Sequence, residues 1–307
     1  MKPRVQILMS TYNGEKFLKE QLDSILNQKG NFELGILVRD DGSNDETIKI
    51  LKEYSEKSVL KIEILKGNNI GVNASLKELF LKCDIEYYDY FALSDQDDVW
   101  LDTKIQTALN RLQKEKFEGL KMFASRSFVT DEKLNIIGKT QDSEKKELYY
   151  NATVQNICPG HTQVFNKEVV KELRENYSEN IFVIDWWIYL LVSGTGKVIF
   201  ERECTVKHRQ HGINTAGYEL NFLKKTKKRM KFLNKYKKSP VSLQLESFLY
   251  LYAEKMKEDY KKETEKFLKS QKNIFKRVQY ISKAKVFRYG KIENLIFKIL
   301  YILGKYK

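Results

Sequence analysis

Through the first third of the chain, short continuous apolar runs alternate with stretches whose apolar residues recur at helical spacing, with polar turns between them. Val5 to Ser10 predicts a buried strand, Thr11-Tyr12-Asn13-Gly14 a turn, and Leu18, Leu22, Ile25 and Leu26 one face of a helix. Leu34 to Val38 predicts a second strand. The loop Arg39-Asp40-Asp41-Gly42-Ser43-Asn44-Asp45 follows it, and a helix then runs to about Tyr54. Ile62 to Leu65 predicts a third strand, and Asn68-Asn69-Ile70-Gly71 turns into a helix with Leu76, Leu79, Phe80 and Cys83 on one face. Phe91-Ala92-Leu93-Ser94 is a fourth strand, ended by Asp95 because aspartates are poor strand formers. A helix with Ile105, Ala108, Leu109 and Leu112 inward comes next, and Met122 to Phe128 predicts another strand. Strands and helices alternating in this way make a parallel, doubly wound α/β sheet the natural architecture.

From Glu219 onward helical spacing dominates, broken at Pro240. At the end of the chain Ile292, Leu295, Ile296, Ile299, Leu300 and Leu303 form one apolar stripe, with Lys291, Lys298 and Lys305 outside it. Charge divides the chain in the same place. Residues 219–307 hold 25 Lys and Arg against 8 Asp and Glu, whereas residues 1–218 hold 30 against 33. The expected organisation is therefore a near-neutral body at 1–218 and a basic helical appendage at 219–307, the latter facing something anionic. Such a helix can lie on an anionic membrane surface, each basic residue contributing about 1 kcal/mol near anionic lipid. The alternative is a bundle that packs on the body or on a second subunit. No nucleic acid partner is expected, because no nucleic-acid motif is present and the basic run Lys224-Lys225-Thr226-Lys227-Lys228-Arg229 lies away from the loops that carry chemistry.

A chain of 307 residues, 42% apolar, can hold one large α/β domain plus an appendage. Its 18 Tyr and 17 Phe imply an aromatic-rich surface or helical layer. Cys83, Cys158 and Cys204 are odd in number and far apart, without C-x-x-C spacing. That disfavours zinc and a disulfide framework and makes a reducing cytosol the expectation. Met1-Lys2-Pro3-Arg4 leads straight into the first strand, and no apolar run is long enough to span a bilayer.

Each polar loop follows the carboxyl end of a strand, where open α/β sheets bind ligands. The richest is Ser94-Asp95-Gln96-Asp97-Asp98-Val99-Trp100. Three carboxylates this close repel one another, and a divalent cation makes the arrangement favourable. Oxygen ligands suit Mg²⁺ or Mn²⁺, which usually bridge to substrate phosphates. A solvated acidic turn that caps the next helix is the structural alternative. No G-x-G-x-x-G follows the first strand and no G-x-x-x-x-G-K-[ST] occurs, which disfavours dinucleotide oxidoreductases and P-loop nucleotidases. The loops offer Thr11, Asn13, Asp40, Asp41, Asn73, Asp95 and Asp97 instead. A carboxylate among them can accept the imide N–H of uracil or thymine. Asp40-Asp41-Gly42-Ser43 also reads as a helix-capping turn, with Ser43 or Asn44 as the cap.

Three of these stretches, in order, resemble family 2 glycosyltransferases of the GT-A fold, and the resemblance runs from about Val5 to Tyr218. Ile7-Leu8-Met9-Ser10-Thr11-Tyr12-Asn13-Gly14 is similar to the family's opening strand and turn, and Arg39-Asp40-Asp41-Gly42-Ser43 to its D-D-G-S loop. Ser94-Asp95-Gln96-Asp97-Asp98-Val99-Trp100 resembles its metal-binding D-x-D, in the D-Q-D-D-x-W form common among rhamnosyltransferase-like members. The resemblance implies that Thr11 and Tyr12 line the base pocket and that Asp40 holds the pyrimidine, and the loop residues Asp41 and Asn73 are further donor-site candidates. It implies that Asp95 contacts ribose or metal and that Asp97 ligates the metal directly, while Asp98 is a helix-cap candidate.

Later segments fit less tightly. Asp142 to Lys146 is a charged loop that could serve as a lid. Cys158-Pro159-Gly160-His161-Thr162-Gln163-Val164-Phe165-Asn166 is similar to the family's acceptor-side segment, with His161 either a substrate contact or a structural hydrogen bonder. In Ile181-Phe182-Val183-Ile184-Asp185-Trp186-Trp187-Ile188 one carboxylate sits in an apolar run, where burial raises a pKa. Inverting members of the family use an acid here as general base, which makes Asp185 the catalytic candidate, with a helix-capping Asp as the alternative. Trp186 or Trp187 could stack on a sugar or pack in the core. Lys207-His208-Arg209-Gln210-His211-Gly212-Ile213-Asn214 resembles the R-Q-H-G-x-N segment of the rhamnosyltransferase-like group. By that resemblance His211 reaches the metal or diphosphate and Arg209 meets diphosphate charge.

The expected activity is metal-dependent, inverting transfer of a sugar, rhamnose favoured, from a dTDP- or UDP-sugar to a saccharide or lipid-linked saccharide at the cytoplasmic membrane face. A catalytically silent sugar- or membrane-binding subunit is the alternative. A sugar nucleotidyltransferase would want a Gly-rich, Arg-containing loop after the first strand, which Thr11-Tyr12-Asn13-Gly14 does not supply.

Overall fold

The computed structural model describes residues 2–143, 148–211, 231 and 235–307. The first half of the sheet is the alternating part of the sequence. β1 (Arg4–Thr11), β2 (Glu33–Asp40), β3 (Lys61–Lys66) and β4 (Tyr90–Ser94) run parallel in the order β3-β2-β1-β4. They are connected by α1 (Leu18–Leu26), α2 (Thr47–Lys57) and α3 (Val72–Lys82). Val5, Ile7, Leu8 and Met9 are all fully buried, which is why β1 reads as an apolar run, interrupted by the buried Gln6, rather than an alternating one. β5 (Val99–Trp100) and α4 (Lys104–Lys114) follow the acidic loop. Leu18, Leu22 and Ile25 of α1 and Ile105, Ala108, Leu109 and Leu112 of α4 pack in one cluster with Ile7, Ile36 and Phe123.

The second half of the sheet is mixed. β6 (Lys121–Thr130), β7 (Ile136–Lys139), β8 (Val164–Asn166) and β9 (Lys197–Arg209) extend it as β4-β8-β6-β9-β5, with β7 on β6. The three-residue β8 is antiparallel to both β4 and β6, while β9 is parallel to β6. Two-residue β5 pairs antiparallel with the end of β9, Val99 opposite Lys207 and Trp100 opposite Val206. That pairing brings the residues after β9 beside the acidic loop. α5 (Lys167–Glu175) follows β8.

Two compact units divide the chain. One is Met1–Asp142, Cys158–Tyr177 and Lys197–Asn214, and contains the whole sheet. The other is Ser143–Ile157, Ser178–Gly196 and Thr215–Lys307. The second unit is thus larger than an appendage beginning at residue 219: it also takes up α6 (Ile184–Thr195), and with it Asp185. Among the described residues its other helices of eight residues or more are α7 (Pro240–Tyr252), α8 (Glu258–Lys269), α9 (Ile274–Ile281) and α10 (Lys291–Ile302). Residue 235 is helical, 236–239 are not, and Pro240 starts α7, at the first-turn position where its missing N–H costs nothing.

This unit holds the aromatic layer. Tyr149 stacks on Tyr260 at 4.4 Å between ring centroids, and Trp187 packs on Phe248 and Tyr252. The buried phenols find partners: Tyr149 with Thr264 at 2.6 Å, and Tyr280 donating to Glu263 at 2.8 Å. Of the terminal stripe only Leu300 turns inward, with Phe297 and Tyr301 from the opposite side; Ile292, Leu295, Ile299 and Leu303 are exposed, because the two large aromatic residues take the interior. Among the described residues no helix is long and apolar enough to cross a membrane. The basic run 224–229 and residues 144–146 of the charged loop lie outside the described residues.

Candidate functional site

Four chain segments in the first unit build the site: the ends of β1, β2, β4 and β9. Thr11 closes β1 and donates its hydroxyl to Asp40 at 3.0 Å. Asp40, buried at the end of β2, also accepts from the Ser43 N–H at 2.9 Å and hydroxyl at 2.6 Å, which ties the D-D-G-S loop to its strand. Tyr12 is 44% exposed. Its backbone is clamped by the Gln96 amide, which accepts from the Tyr12 N–H at 2.8 Å and donates to the Tyr12 carbonyl at 3.0 Å. A Cβ on Gly14 would stand 2.5 Å from the same amide, so only glycine leaves room for the clamp.

Asp41 departs from a donor-binding role. It is buried, pairs with Arg39 at 2.5 Å, and accepts the N–H groups of Ile70 and Gly71 at 2.9 Å each. It therefore closes the turn into α3, whose first residue after Gly71 (φ +84°) is Val72. Asn73 lies in the first turn of that helix.

Beyond β4, Asp95, Asp97 and Asp98 point to three different environments. Asp95 is half exposed, with one oxygen 3.4 Å from the His161 ring. Asp97 meets the His211 ring nitrogen at 2.8 Å, bringing together the two residues expected to hold metal. Burial, with Asp95 and Asp98 adding repulsion, pushes the Asp97 carboxyl up to about 6 although His211 pulls the other way. Asp98 is fully buried and does not cap α4. Thr103 stands at that cap, and Asp98 instead bonds the His208 ring at 2.9 Å and the Arg209 N–H at 3.1 Å.

A layer of titratable groups lies under the loop. His161 is buried, bonded to the Ser127 hydroxyl at 2.9 Å, and stacked on His208 with centroids 4.4 Å apart. Burial holds His161 down to about 3, so it is a neutral structural partner. Burial acts on His208 in the same sense, but the Asp98 carboxylate outweighs it and raises the ring to about 9. Lys104 is buried over the Trp100 ring, 3.2 Å from its centroid, and burial drives its pKa far down. One ligand atom from each of Asp95, Asp98, His161 and His208 fits within 4.8 Å, a donor set that could also hold an ion. Sequence reasoning did not single out His208 or Lys104. The signal available was the second His in the same motif as His211, and a Lys four residues after an aromatic residue.

Arg209 does not face outward toward a diphosphate. Its guanidinium donates to the Asp97 carbonyl at 2.9 Å, to the Glu132 carbonyl and to Glu20, and lies over the Phe17 ring at 4.5 Å. With its side chain 2% exposed, it braces the acidic loop from behind. His211 packs on the other part of that brace, its ring 4.7 Å from Phe17. Gly212 to Asn214 of the motif lie outside the described residues.

In the second unit, α6 begins at Ile184 with Val183 as its cap residue, so Asp185 stands inside the first turn rather than at the cap. Trp187 is fully buried and belongs to the core; Trp186 donates its indole N–H to the Ala152 carbonyl at 2.6 Å.

A mixed α/β sheet with an Asp/His site after its fourth strand fits the GT-A fold, and the comparisons agree. The sequence model of glycosyl transferase family 2 matches residues 6–174, more than half of the chain. The dTDP-rhamnosyl transferase RfbG of Shigella flexneri is 30% identical over 245 residues, covering 76% of this chain and 82% of RfbG. The protein belongs to glycosyl transferase family 2 and is a glycosyltransferase. Among solved structures, Staphylococcus aureus TarS 1–349 in complex with UDP-GlcNAc superposes with a TM-score of 0.55 at 13% identity, over all of this chain and 89% of that one. The mannosyltransferase PcManGT of Pyrobaculum calidifontis, in complex with GDP-Man and Mn²⁺, gives 0.54 at 15% identity, over 99% and 86%. At these identities the likeness is one of fold.

Proposed function

We propose that the enzyme moves a sugar from a nucleoside-diphosphate donor to a saccharide hydroxyl with inversion, dTDP-rhamnose being favoured over UDP-sugars. The observation that carries this reading is the Asp97–His211 pair at 2.8 Å after β4, in a chain 30% identical to a dTDP-rhamnosyl transferase. The donor set fits a divalent cation. A carboxyl crowded by two others and held up to about 6 is relieved by positive charge. A carboxylate with an imidazole suits Mn²⁺ better than Mg²⁺. Asp97 and His211 would hold the ion, with Asp95 toward ribose or metal; when bound it supplies positive charge opposite the departing diphosphate.

Thr11 and Tyr12 border the base, and Asp40 takes the imide N–H of the pyrimidine. Asp185 removes the proton from the attacking hydroxyl. The acceptor is a saccharide or lipid-linked saccharide, and the work is done in cell-surface polysaccharide assembly at the cytoplasmic membrane face.

Calorimetry with dTDP-rhamnose, UDP-glucose, UDP-N-acetylglucosamine and GDP-mannose, each with and without Mn²⁺, tests the reading. Metal-dependent binding of dTDP-rhamnose that is lost in Asp97→Asn is the expected result. Asp185→Asn should keep donor binding and lose transfer by roughly 10²- to 10⁴-fold. Donor binding that ignores both metal and Asp97→Asn would sink the assignment.

A further inference from the structure

The helices at the end of the chain present an apolar surface that the transferase reading does not use. On α10, Ile292, Leu295, Ile299 and Leu303 recur along one face and are each about half or more exposed. On α9, Phe275 is 83% exposed and Val278 is exposed beside it. The two faces adjoin. The Arg277 guanidinium of α9 donates to the Ile302 carbonyl at 2.8 Å and lies 3.3 Å from where a Cβ on Gly304 would be, setting the Val278 turn beside Leu303. The opposite sides of both helices are closed by Tyr280, Ile281, Phe297 and Tyr301, so the outward apolar residues are not surplus core.

Charge selects the occupant. Residues 272–307 carry ten basic side chains and one acidic one, Glu293, which is paired with Arg288 at 3.7 Å. Lys291 and Lys298 stand one turn to either side of Leu295, and Lys272 one turn before Phe275. A second copy of this face would set like charge against like across a two-fold axis. An anionic lipid surface meets both parts of the pattern, apolar residues entering the acyl boundary and lysines meeting headgroups. With twelve residues in α10, far fewer than the roughly 20 needed to span, the helix lies in the interface plane.

We propose that α9 and α10 form one membrane-docking face, anchored by Phe275, Leu295 and Leu303 and drawn to anionic lipid by Lys272, Lys276, Lys291 and Lys298. It holds whatever sugar the first unit transfers. The test is flotation of the full chain with vesicles of phosphatidylcholine, with and without phosphatidylglycerol, at low and high salt. Binding should require phosphatidylglycerol and weaken with salt. Phe275→Ser/Leu295→Ser should weaken it at least about tenfold. Lys291→Gln/Lys298→Gln should weaken it about 25-fold, at roughly fivefold per lysine. These side chains are exposed, so both variants should melt with the parent; the charge pair stands as an independent test if the apolar pair does not. The proposal is overturned if both variants bind like the parent, if the parent binds neither vesicle, or if phosphatidylglycerol makes no difference. It is also overturned if sedimentation reveals a dimer that Phe275→Ser/Leu295→Ser dissolves.

Discussion

Replacing Asp98 by Asn removes one buried negative charge and leaves a side chain of nearly the same shape. The amide oxygen can still accept from the Arg209 N–H, now 3.1 Å from the carboxylate, so the backbone tie survives. What is lost is the ion pair with His208. In the parent, Asp98 holds that ring at about 9 against an ordinary value of 6.5. At about 1.4 kcal/mol per pH unit, that rise is worth about 3 kcal/mol. Because the folded pKa lies above the unfolded one, this stability is fully present below pH 6.5 and disappears as pH rises through about 9. Asp98→Asn should therefore melt lower than the parent by about 6 °C near pH 6, at roughly 2 °C per kcal/mol for a chain this large. The gap should close by about pH 10, where His208 is neutral in both proteins. Melting followed by circular dichroism across that range is the assay, and taking the difference cancels groups common to both. A gap that stays the same at both ends would refute the ion pair. Because Asp98 fixes the end of β9 next to Asp97, the same variant should also weaken Mn²⁺ binding by about tenfold or more.

Three further expectations concern the same loop. Asp97 takes up a proton at about 6, and a metal must displace it, so Mn²⁺ affinity should fall about tenfold per pH unit below that point; an affinity that is flat between about pH 5 and 7 would count against Asp97 as ligand. Gln96→Ala removes both bonds to the Tyr12 backbone and should cost about 1–2 kcal/mol in chemical denaturation while weakening donor binding in calorimetry; unchanged donor affinity would show that the clamp does not shape the base pocket. Arg209→Lys cannot reproduce the fork to the Asp97 carbonyl, the Glu132 carbonyl and Glu20, and should cost about 3 kcal/mol in urea unfolding. Near-parent stability would mean that Arg209 is not the brace described.

Much of the first unit was legible from local pattern. β1, β4, α1 and α4 appear where their apolar residues predicted them, because a fully buried strand and a half-buried helix each leave a periodicity that does not depend on distant contacts. The same holds for the acidic loop, since aspartates end a strand wherever it lies. The sequence also carried the pairing of Asp97 with His211, though only through likeness to a family, not through spacing. The direction in which each loop carboxylate points was not legible. Asp98 was a cap candidate until the two-residue β5 paired with β9 and delivered His208 and Arg209 from more than a hundred residues away. Arg209 looked available to a diphosphate and is instead enclosed by Phe17 and Glu20 at the start of α1 and by Glu132 after β6, two segments far from it in sequence. Asp41 looked like donor chemistry and closes the turn into α3. The terminal stripe was legible in its period, but whether it would face inward stayed open between two readings until Phe297 and Tyr301 took the interior and left Ile292 and Leu295 outside. Periodicity is set by the backbone within a few residues of each position, and so it survives in the sequence. Which partner a buried charge finds, and which of two apolar faces turns inward, is settled by the competition among segments that meet only when the chain has folded.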